Sequence, residues 1–355
     1  MEKVKLGIIG CGVIGTEHMK AAVNNINAEL VAVADKIPER ADAKGKEFNV
    51  PGIYYSADDL INADNVEAVV LAFQTNGRSQ VAVKVLNNYK HVLIEKPVAL
   101  NYADAKTIYD ARKVGLIASG CSCRLSHFES AYIVKKAIED GLIGNLQEIH
   151  VRALLGATEA PKINPPNWRQ SNELNGGGIL VNWGVYDMDF VFTLTGWKLK
   201  PKYVMAKMWP IEPTLNKRVD PCSDAESRYT ALIVCEDGTV ITFERGEFCA
   251  VKKETSWQFM GNIGTIRTSL LDHNDKKIYL DLADSKKGVV TSLIWEGTDD
   301  ETLTHTQPIT GFVNEILGLA EPFTTLDQAM FITRVSDAIY ESANAGGVPV
   351  ELKYN

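Results

Sequence analysis

Cysteine is scarce in this chain, with six in 355 residues, far too few for a disulfide scaffold. Only Cys121 and Cys123 lie close together, and C-x-C is not a usual zinc or redox pair. The other cysteines read as small buried hydrophobes. Histidine is equally sparse, at 18, 91, 127, 150, 273 and 305. No His-x-x-x-His or comparable ligand spacing results, so no metal is expected. Long apolar runs are missing: the stretch from Leu6 to Ile14 is short and broken by three glycines, which argues against a membrane partner. A strand pattern begins at once at Val4, so no targeting segment is expected, and reduced cysteines suit the cytoplasm. An excess of positive charge is also absent, since 37 Lys and Arg face 45 Asp and Glu, a net charge of −8. That argues against nucleic acid or an anionic membrane surface as the main partner. No repeat or low-complexity tract is visible, and 13 Pro, 27 Gly and 45% hydrophobic residues are an ordinary globular balance. The length favours two domains.

Up to about residue 125, short apolar runs (Val4–Ile9, Leu30–Ala34, Val66–Phe73, His91–Ile94, Leu116–Ser119) alternate with helical patterns. Continuous apolar strands between amphipathic helices predict a parallel, doubly wound α/β domain over 1–125. A helix over Phe128–Asp140 follows, and then longer strands with polar interruptions, two of them joined by Glu236-Asp237-Gly238, a hairpin signal. This predicts an α+β domain over 126–355 with a mostly antiparallel sheet. The chain closes on helices around Gly311–Leu319 and 326–345, the latter able to return to the first domain. Thr158–Gln170 is rich in Pro and Asn and reads as a long loop of the kind that carries function.

The sharpest local motif is Gly10-Cys11-Gly12-Val13-Ile14-Gly15, directly after a strand and opening a helix. Asp35 ends the next strand, which completes the dinucleotide-binding context. Gly10 allows the tight turn, Gly12 lets backbone approach a pyrophosphate, and Gly15 permits close helix–strand packing. The N–H groups at the helix start, around Val13 and Ile14, then face the phosphates. Asp35 suits a ribose diol and repels a 2′-phosphate, which favours NAD. Lys36 and Arg40 could each pair with a phosphate, so NADP stays open. His18, on the same helix, reads as structural or near the phosphates. A second motif, Glu95-Lys96-Pro97, ends a strand, and strand carboxyl ends are where ligands bind in such sheets. Lys96 on position alone is as readily a surface lysine as a group orienting a substrate hydroxyl.

Gly10–Gly15, Asp35 and Glu95-Lys96-Pro97 together resemble the glucose–fructose oxidoreductase/inositol dehydrogenase (Gfo/Idh/MocA) family. The resemblance continues through Asp140-Gly141-Leu142-Ile143-Gly144, Trp168-Arg169, Gly176-Gly177-Gly178, Gly196 and the stretch Ala338 to Ala343. It implies a Rossmann domain followed by a substrate domain on a large open sheet. It implies an NAD(P)-dependent oxidoreductase of sugars, glycosides or cyclitols, forming a homo-oligomer, dimer or tetramer. Lys96 becomes a catalytic candidate, with Lys96–Pro97 cis, and Glu95 joins the cofactor site. Asn182-Trp183-Gly184-Val185-Tyr186-Asp187-Met188-Asp189 resembles the family's Asp-x-Gly-x-His-x-x-Asp, with Asn182 and Tyr186 in place of its Asp and His. Tyr186 is then the acid/base, as in the glucose–fructose oxidoreductase branch. A phenol of ordinary pKa is a poor base at neutral pH, and a nearby ammonium favours its ionised form. On an α-helix, Asn182, Tyr186 and Asp189 share one face, so Asn182 and Asp189 are substrate candidates. Arg124 and His127, at the change of domain, are further substrate candidates, and His127 is the one histidine placed to substitute as a base. Trp168 and Arg169 resemble an element reaching the nicotinamide end of the cofactor. The family's Thr/Ser-Pro-Asn-x-x-His stretch is replaced by Phe73-Gln74-Thr75-Asn76-Gly77-Arg78.

The expected activity is oxidation of a secondary hydroxyl, for example at C3 of a glycoside, with NAD. Three alternatives stand beside it: reduction of a ketosugar with NADPH; retained NAD serving sugar-to-sugar hydride transfer or oxidation–elimination; and a non-enzymatic NAD-binding sensor.

Overall fold

The computed structural model describes residues 3–163 and 165–353. The chain divides into two units, one of residues up to Arg124 together with Thr302–Thr333, the other of Leu125–Glu301 and the residues from Arg334.

In the first unit all six strands are parallel; the five short apolar runs supply the largely buried ones, which must find apolar cover above and below, and the half-buried edge strand Gly52–Tyr54 is one the sequence reading does not name. The six are β1 (Val4–Ile9), β2 (Ala28–Ala34), β3 (Gly52–Tyr54), β4 (Ala68–Leu71), β5 (His91–Ile94) and β6 (Ala118–Gly120). Helices α1 (Val13–Asn24), α2 (Pro38–Glu47), α3 (Ala57–Ile61), α4 (Arg78–Asn87) and α5 (Tyr102–Asp110) connect them. The order β3-β2-β1-β4-β5-β6 is that of a doubly wound dinucleotide-binding sheet. Alternate residues of β4 feed two cores: Val69 and Leu71 pack with Val85, Leu86 and Ile108, while Ala68 and Val70 pack with Met19 and Ala22. The second core is closed by Ile309, Phe312 and Val313, which lie on a helix, Leu303–Ile316, that returns from far along the chain. The sequence reading starts this helix at Gly311 and assigns it to the second domain. The structure carries it through Pro308, a residue that removes a helix donor and so hides the continuity in the sequence. Leu326, Ala329 and Met330 of the final helix, Leu326–Asn344, join the other core.

The second unit holds α6 (Glu129–Glu139), β7 (Leu146–Gly156), α7 (Asn172–Asn175), α8 (Val185–Leu194), β8 (Pro201–Trp209), β9 (Arg228–Cys235) and β10 (Val240–Cys249). It continues with β11 (Glu254–Gly261), β12 (Gly264–Thr268), β13 (Lys276–Asp284), β14 (Gly288–Gly297) and β15 (Val350–Glu351). These nine strands form one sheet, β14-β13-β12-β11-β7-β10-β9-β8-β15, in which β7 and β10 pair in parallel and the other pairs are antiparallel. Residues alternate between faces: Ile149, Val151, Phe243, Trp257 and Phe259 are buried, with Phe190 of α8 against Phe259, whereas Tyr203, Met205 and Leu232 are exposed on the other. The β9–β10 hairpin turns at Gly238, whose φ of 89° falls in the left-handed region. Among the described residues no helix is long and apolar enough to cross a membrane.

Candidate active site

The glycine loop joins β1 to α1 at the point where strand order reverses. Gly10 has φ 104°, and a Cβ there would stand 2.4 Å from the Ala72 carbonyl oxygen. A Cβ on Gly15 would stand 1.8 Å from the Gly10 carbonyl oxygen, so neither position accepts a side chain. Gly12 differs, because a Cβ there meets nothing within 4 Å. It caps α1 with no side-chain hydrogen bond, and Val13 is 87% exposed. The first turn of α1 therefore presents backbone N–H groups and the positive end of the helix dipole to solvent. Asp35 braces the loop: Oδ2 accepts from the Cys11 N–H at 2.8 Å and Oδ1 from the Ile37 N–H at 2.9 Å. Each oxygen keeps acceptor capacity for a diol. Lys36 and Arg40 are exposed beside it. These residues fit a dinucleotide: an open N–H cradle for the pyrophosphate, and a braced carboxylate at the end of β2 for the ribose.

Glu95-Lys96-Pro97 follows β5, and the Lys96–Pro97 bond is cis. Lys96 is half-buried, whereas Glu95 is buried. Glu95 Oε1 accepts from His18 Nε2 at 2.7 Å and from the Arg124 guanidinium, and Oε2 accepts from the Lys96 N–H at 3.1 Å. Burial raises the Glu95 pKa, but Arg124, the His18 hydrogen bond and the Lys96 charge outweigh it and hold the carboxyl well below the usual carboxylate range. Arg124, read from the sequence as a substrate contact, is 5% exposed and engaged with Glu95. It reaches Lys96 through that carboxylate, because a buried guanidinium requires an anion. His18, Glu95 and Cys121 bring ligand atoms within 4.8 Å of one another. The carboxylate there is already committed to cations, and burial pushes the Cys121 thiol well up, so it stays neutral. This is the chemistry of an ion-pair network rather than of a metal centre.

The depressed Glu95 pKa has a consequence for stability. The unfolded chain takes up a proton near pH 4.3 and the folded chain only far lower, so the stabilisation is complete above pH 4.3 and is lost as pH falls. Relative to Glu95→Gln, the wild type should lose stability below about pH 4.3 by up to ~1.4 kcal/mol per pH unit. Urea melts between pH 3 and 6 measure this, and parallel curves for the two proteins would refute it.

In the second unit, the triple glycine leads into the segment bearing Tyr186. A Cβ on Gly178 would stand 1.9 Å from the Glu226 carbonyl oxygen. The buried Glu226 carboxylate accepts from the Gly178 and Leu180 N–H groups at 3.0 and 2.9 Å and from the Tyr340 hydroxyl at 3.0 Å. The backbone then makes a π-helical turn, Leu180–Gly184, before α8. The sequence reading puts Asn182, Tyr186 and Asp189 on one face of an α-helix. The π turn takes Asn182 out of that register, while Tyr186 and Asp189 both lie on α8, where Asp189, fully buried, accepts from Ser126 Oγ at 2.5 Å. Tyr186 is 6% exposed and meets Trp183 edge to face at 5.5 Å, and Asn182 is 8% exposed. His127 is half-buried, next to Ser126. Beneath this segment Asp187 and Arg245, both buried, form two parallel hydrogen bonds of 2.7 and 2.6 Å. The Arg245 guanidinium lies 5.2 Å from the Trp183 ring centre.

In the long loop, Trp168 is 39% exposed. Arg169, expected at the cofactor, is paired with Glu247 of β10 at 2.5 Å, and Gln170 donates to the same carboxylate at 2.7 Å. The loop is thereby fastened to the sheet. Sequence reasoning missed Arg78, Asp187, Glu226, Arg245 and Glu247. Asp187 alone carries a signal, a charge in the largely apolar stretch 185–194 that demands a buried partner, whereas the others lie among polar or charged neighbours.

Two models of one family match the chain. The one described as "Oxidoreductase family, NAD-binding Rossmann fold" covers residues 4–117, and the "GFO/IDH/MocA C-terminal domain" covers residues 133–267. The inositol 2-dehydrogenase of Salmonella typhimurium is 31% identical over 169 residues, 46% of this chain and 49% of that protein. The glucose-6-phosphate 3-dehydrogenase of Bacillus subtilis is 28% identical over 205 residues, 58% of this chain and 57% of that protein. The chain thus spans about half the length of the curated relatives it matches. A levoglucosan dehydrogenase, solved in complex with NADH and L-sorbose, has the same fold, with a TM-score of 0.84 at 20% identity over 99% of this chain and 100% of that one. With both family models matched in order, the strand order of the Rossmann sheet and the large mixed sheet, the chain belongs to the Gfo/Idh/MocA family of oxidoreductases.

Proposed function

We propose that this protein is an NAD-dependent dehydrogenase that oxidises a secondary hydroxyl of a sugar, glycoside or cyclitol. The observation that carries the reading is the glycine cradle and braced Asp35, in a chain whose Glu95-Lys96-Pro97 stands at the carboxyl end of β5. Relatives named for oxidation of inositol and of glucose 6-phosphate support the substrate class.

The α1 N–H groups and Asp35 hold the dinucleotide. NAD, when bound, supplies a hydride acceptor. Tyr186 Oη takes the proton of the reacting hydroxyl, and the Lys96 ammonium polarises the hydroxyl oxygen. Asn182 can donate to and accept from a neighbouring sugar hydroxyl. The exposed Lys36 and Arg40 beside Asp35 favour a second reading in one respect, a working preference for NADP(H) in the reductive direction.

The test is NADH formation at 340 nm with NAD and a panel of free sugars, inositols and glycosides. Formation with a ring polyol is expected, and a silent panel with folded protein defeats the reading. Gly12 supplies a sharper check on the cofactor. Gly12→Ala places a Cβ in open space, so the fold should persist and the thermal midpoint stay close to wild type. NADH affinity should fall by about tenfold or more, because backbone approach to the pyrophosphate is lost. Titration by NADH fluorescence reads this, and unchanged affinity contradicts the assignment.

A further inference from the structure

Arg78 closes the segment Phe73–Arg78 between β4 and α4, and the proposed reaction does not use it directly. It is 3% exposed. Its Nη1 donates to the Glu95 carbonyl at 2.5 Å and to the Pro97 carbonyl at 2.6 Å, and its Nη2 donates to the Phe73 carbonyl. Two of those carbonyls flank Lys96 in the chain. The third belongs to the loop after β4, the strand that neighbours β5 in the sheet. The guanidinium also lies 5.8 Å from the Phe73 ring centre. Gly77, with φ 81°, and the Arg78 N–H to Thr75 carbonyl bond at 3.0 Å make the turn that brings Arg78 into α4.

We propose that Arg78 is a positioning residue for the reaction: its guanidinium clamps the backbone on both sides of Lys96 and so determines where the Lys96 ammonium is held. The inference rests on the catalytic role assigned to Lys96 above. A planar fork with five N–H donors in fixed directions suits three carbonyls on two loops at once. An imidazole carries at most two donors, and a lysine ammonium is a compact point charge without the fork. A guanidinium without ordered acceptors would not stay buried here. Burial lowers the Arg78 pKa to about 10, opposed by the Glu95 charge, so the side chain is cationic at neutral pH. Glu95 completes the hold from the other side, since its carboxylate accepts the Lys96 N–H. Lys96 is therefore fixed through its own peptide and through the carbonyls before and after it, while its side chain remains half-buried and accessible.

The test compares the full-length wild type with Arg78→Lys and Arg78→Ala by two readouts. The first is peptide-resolved acylation of the Lys96 amine across pH, with exposed Lys106 as internal reference, and it needs neither cofactor nor substrate. The second is kcat and KM with NAD and the panel polyol that forms NADH fastest. The expected result is a shifted Lys96 labelling profile with a rate change of at least threefold, and a kcat at least tenfold lower. KM for NAD should stay within threefold, and millimolar guanidinium should restore part of the kcat of Arg78→Ala. If Arg78→Ala does not fold, Arg78→Lys, which keeps the charge without the fork, decides. Either readout remaining at the wild-type value in folded protein overturns the proposal. Lys96→Met separates this failure from that of the function: if it turns over normally, the catalytic reading is wrong, and labelling alone then decides whether Arg78 holds the turn.

Discussion

Tyr186→Phe should lower kcat for polyol oxidation by about 10²–10⁴-fold, the usual contribution of a positioned general acid or base. The substitution keeps the ring, its edge-to-face contact with Trp183 and the buried volume, and removes only the hydroxyl. The fold and NADH affinity should therefore be retained, so the loss falls on kcat and not on binding. Lys96→Met keeps the stem and removes the charge, and should cost a similar factor. If both act on one hydroxyl, as proposed, the double variant should lose far less than the product of the two. Steady-state kinetics, with NADH titration and a thermal melt as controls, decide the matter. If both single variants keep wild-type turnover while folded, Tyr186 and Lys96 do not carry the chemistry.

The second large effect is on stability. Arg245→Met should destabilise the protein by about 3–5 kcal/mol, because it leaves the Asp187 carboxylate buried without its cation. Asp187 and Arg245 are 0% and 1% exposed, so water cannot replace the missing partner. Exposed pairs such as Lys106–Asp110 should contribute far less, because solvent screens them. Replacing both partners, Asp187→Leu with Arg245→Met, should recover much of the loss, since no charge is then stranded. Urea unfolding of the single and double variants measures the coupling. A loss below about 1 kcal/mol in Arg245→Met would show that the pair is not what secures α8. Arg245 also faces Trp183, the ring against Tyr186, so kcat should fall with stability in the single variant.

Local patterns were legible in the residues. Gly10, Gly12 and Gly15 act within one turn, and the need for glycine at each follows from their spacing between a strand and a helix, although only the fold shows that a Gly10 side chain would meet the Ala72 carbonyl. The doubly wound sheet was legible for a similar reason: strands buried on both faces write unbroken apolar runs. Partners distant in sequence were hidden. Nothing in the residues alone pairs Arg124 with Glu95 or Arg169 with Glu247. A common face for Asn182, Tyr186 and Asp189 rests on α-helical spacing, which holds for Tyr186 and Asp189 on α8 but not for Asn182 in the π turn at Leu180–Gly184.

By itself the sequence determined the two sheets, the glycine cradle with Asp35, and the position of Lys96 at the end of β5. Each depends on spacing over a few residues, where backbone geometry leaves little choice. Only the tertiary structure decided that Arg78 grips the carbonyls around Lys96, that Asp187 belongs to Arg245, and that the helix Leu303–Ile316 completes the first unit's core. A buried charge must be paired, but its own residue type does not say with which of many distant partners. Packing settles that choice, because only one arrangement satisfies the donors and fills the volume together.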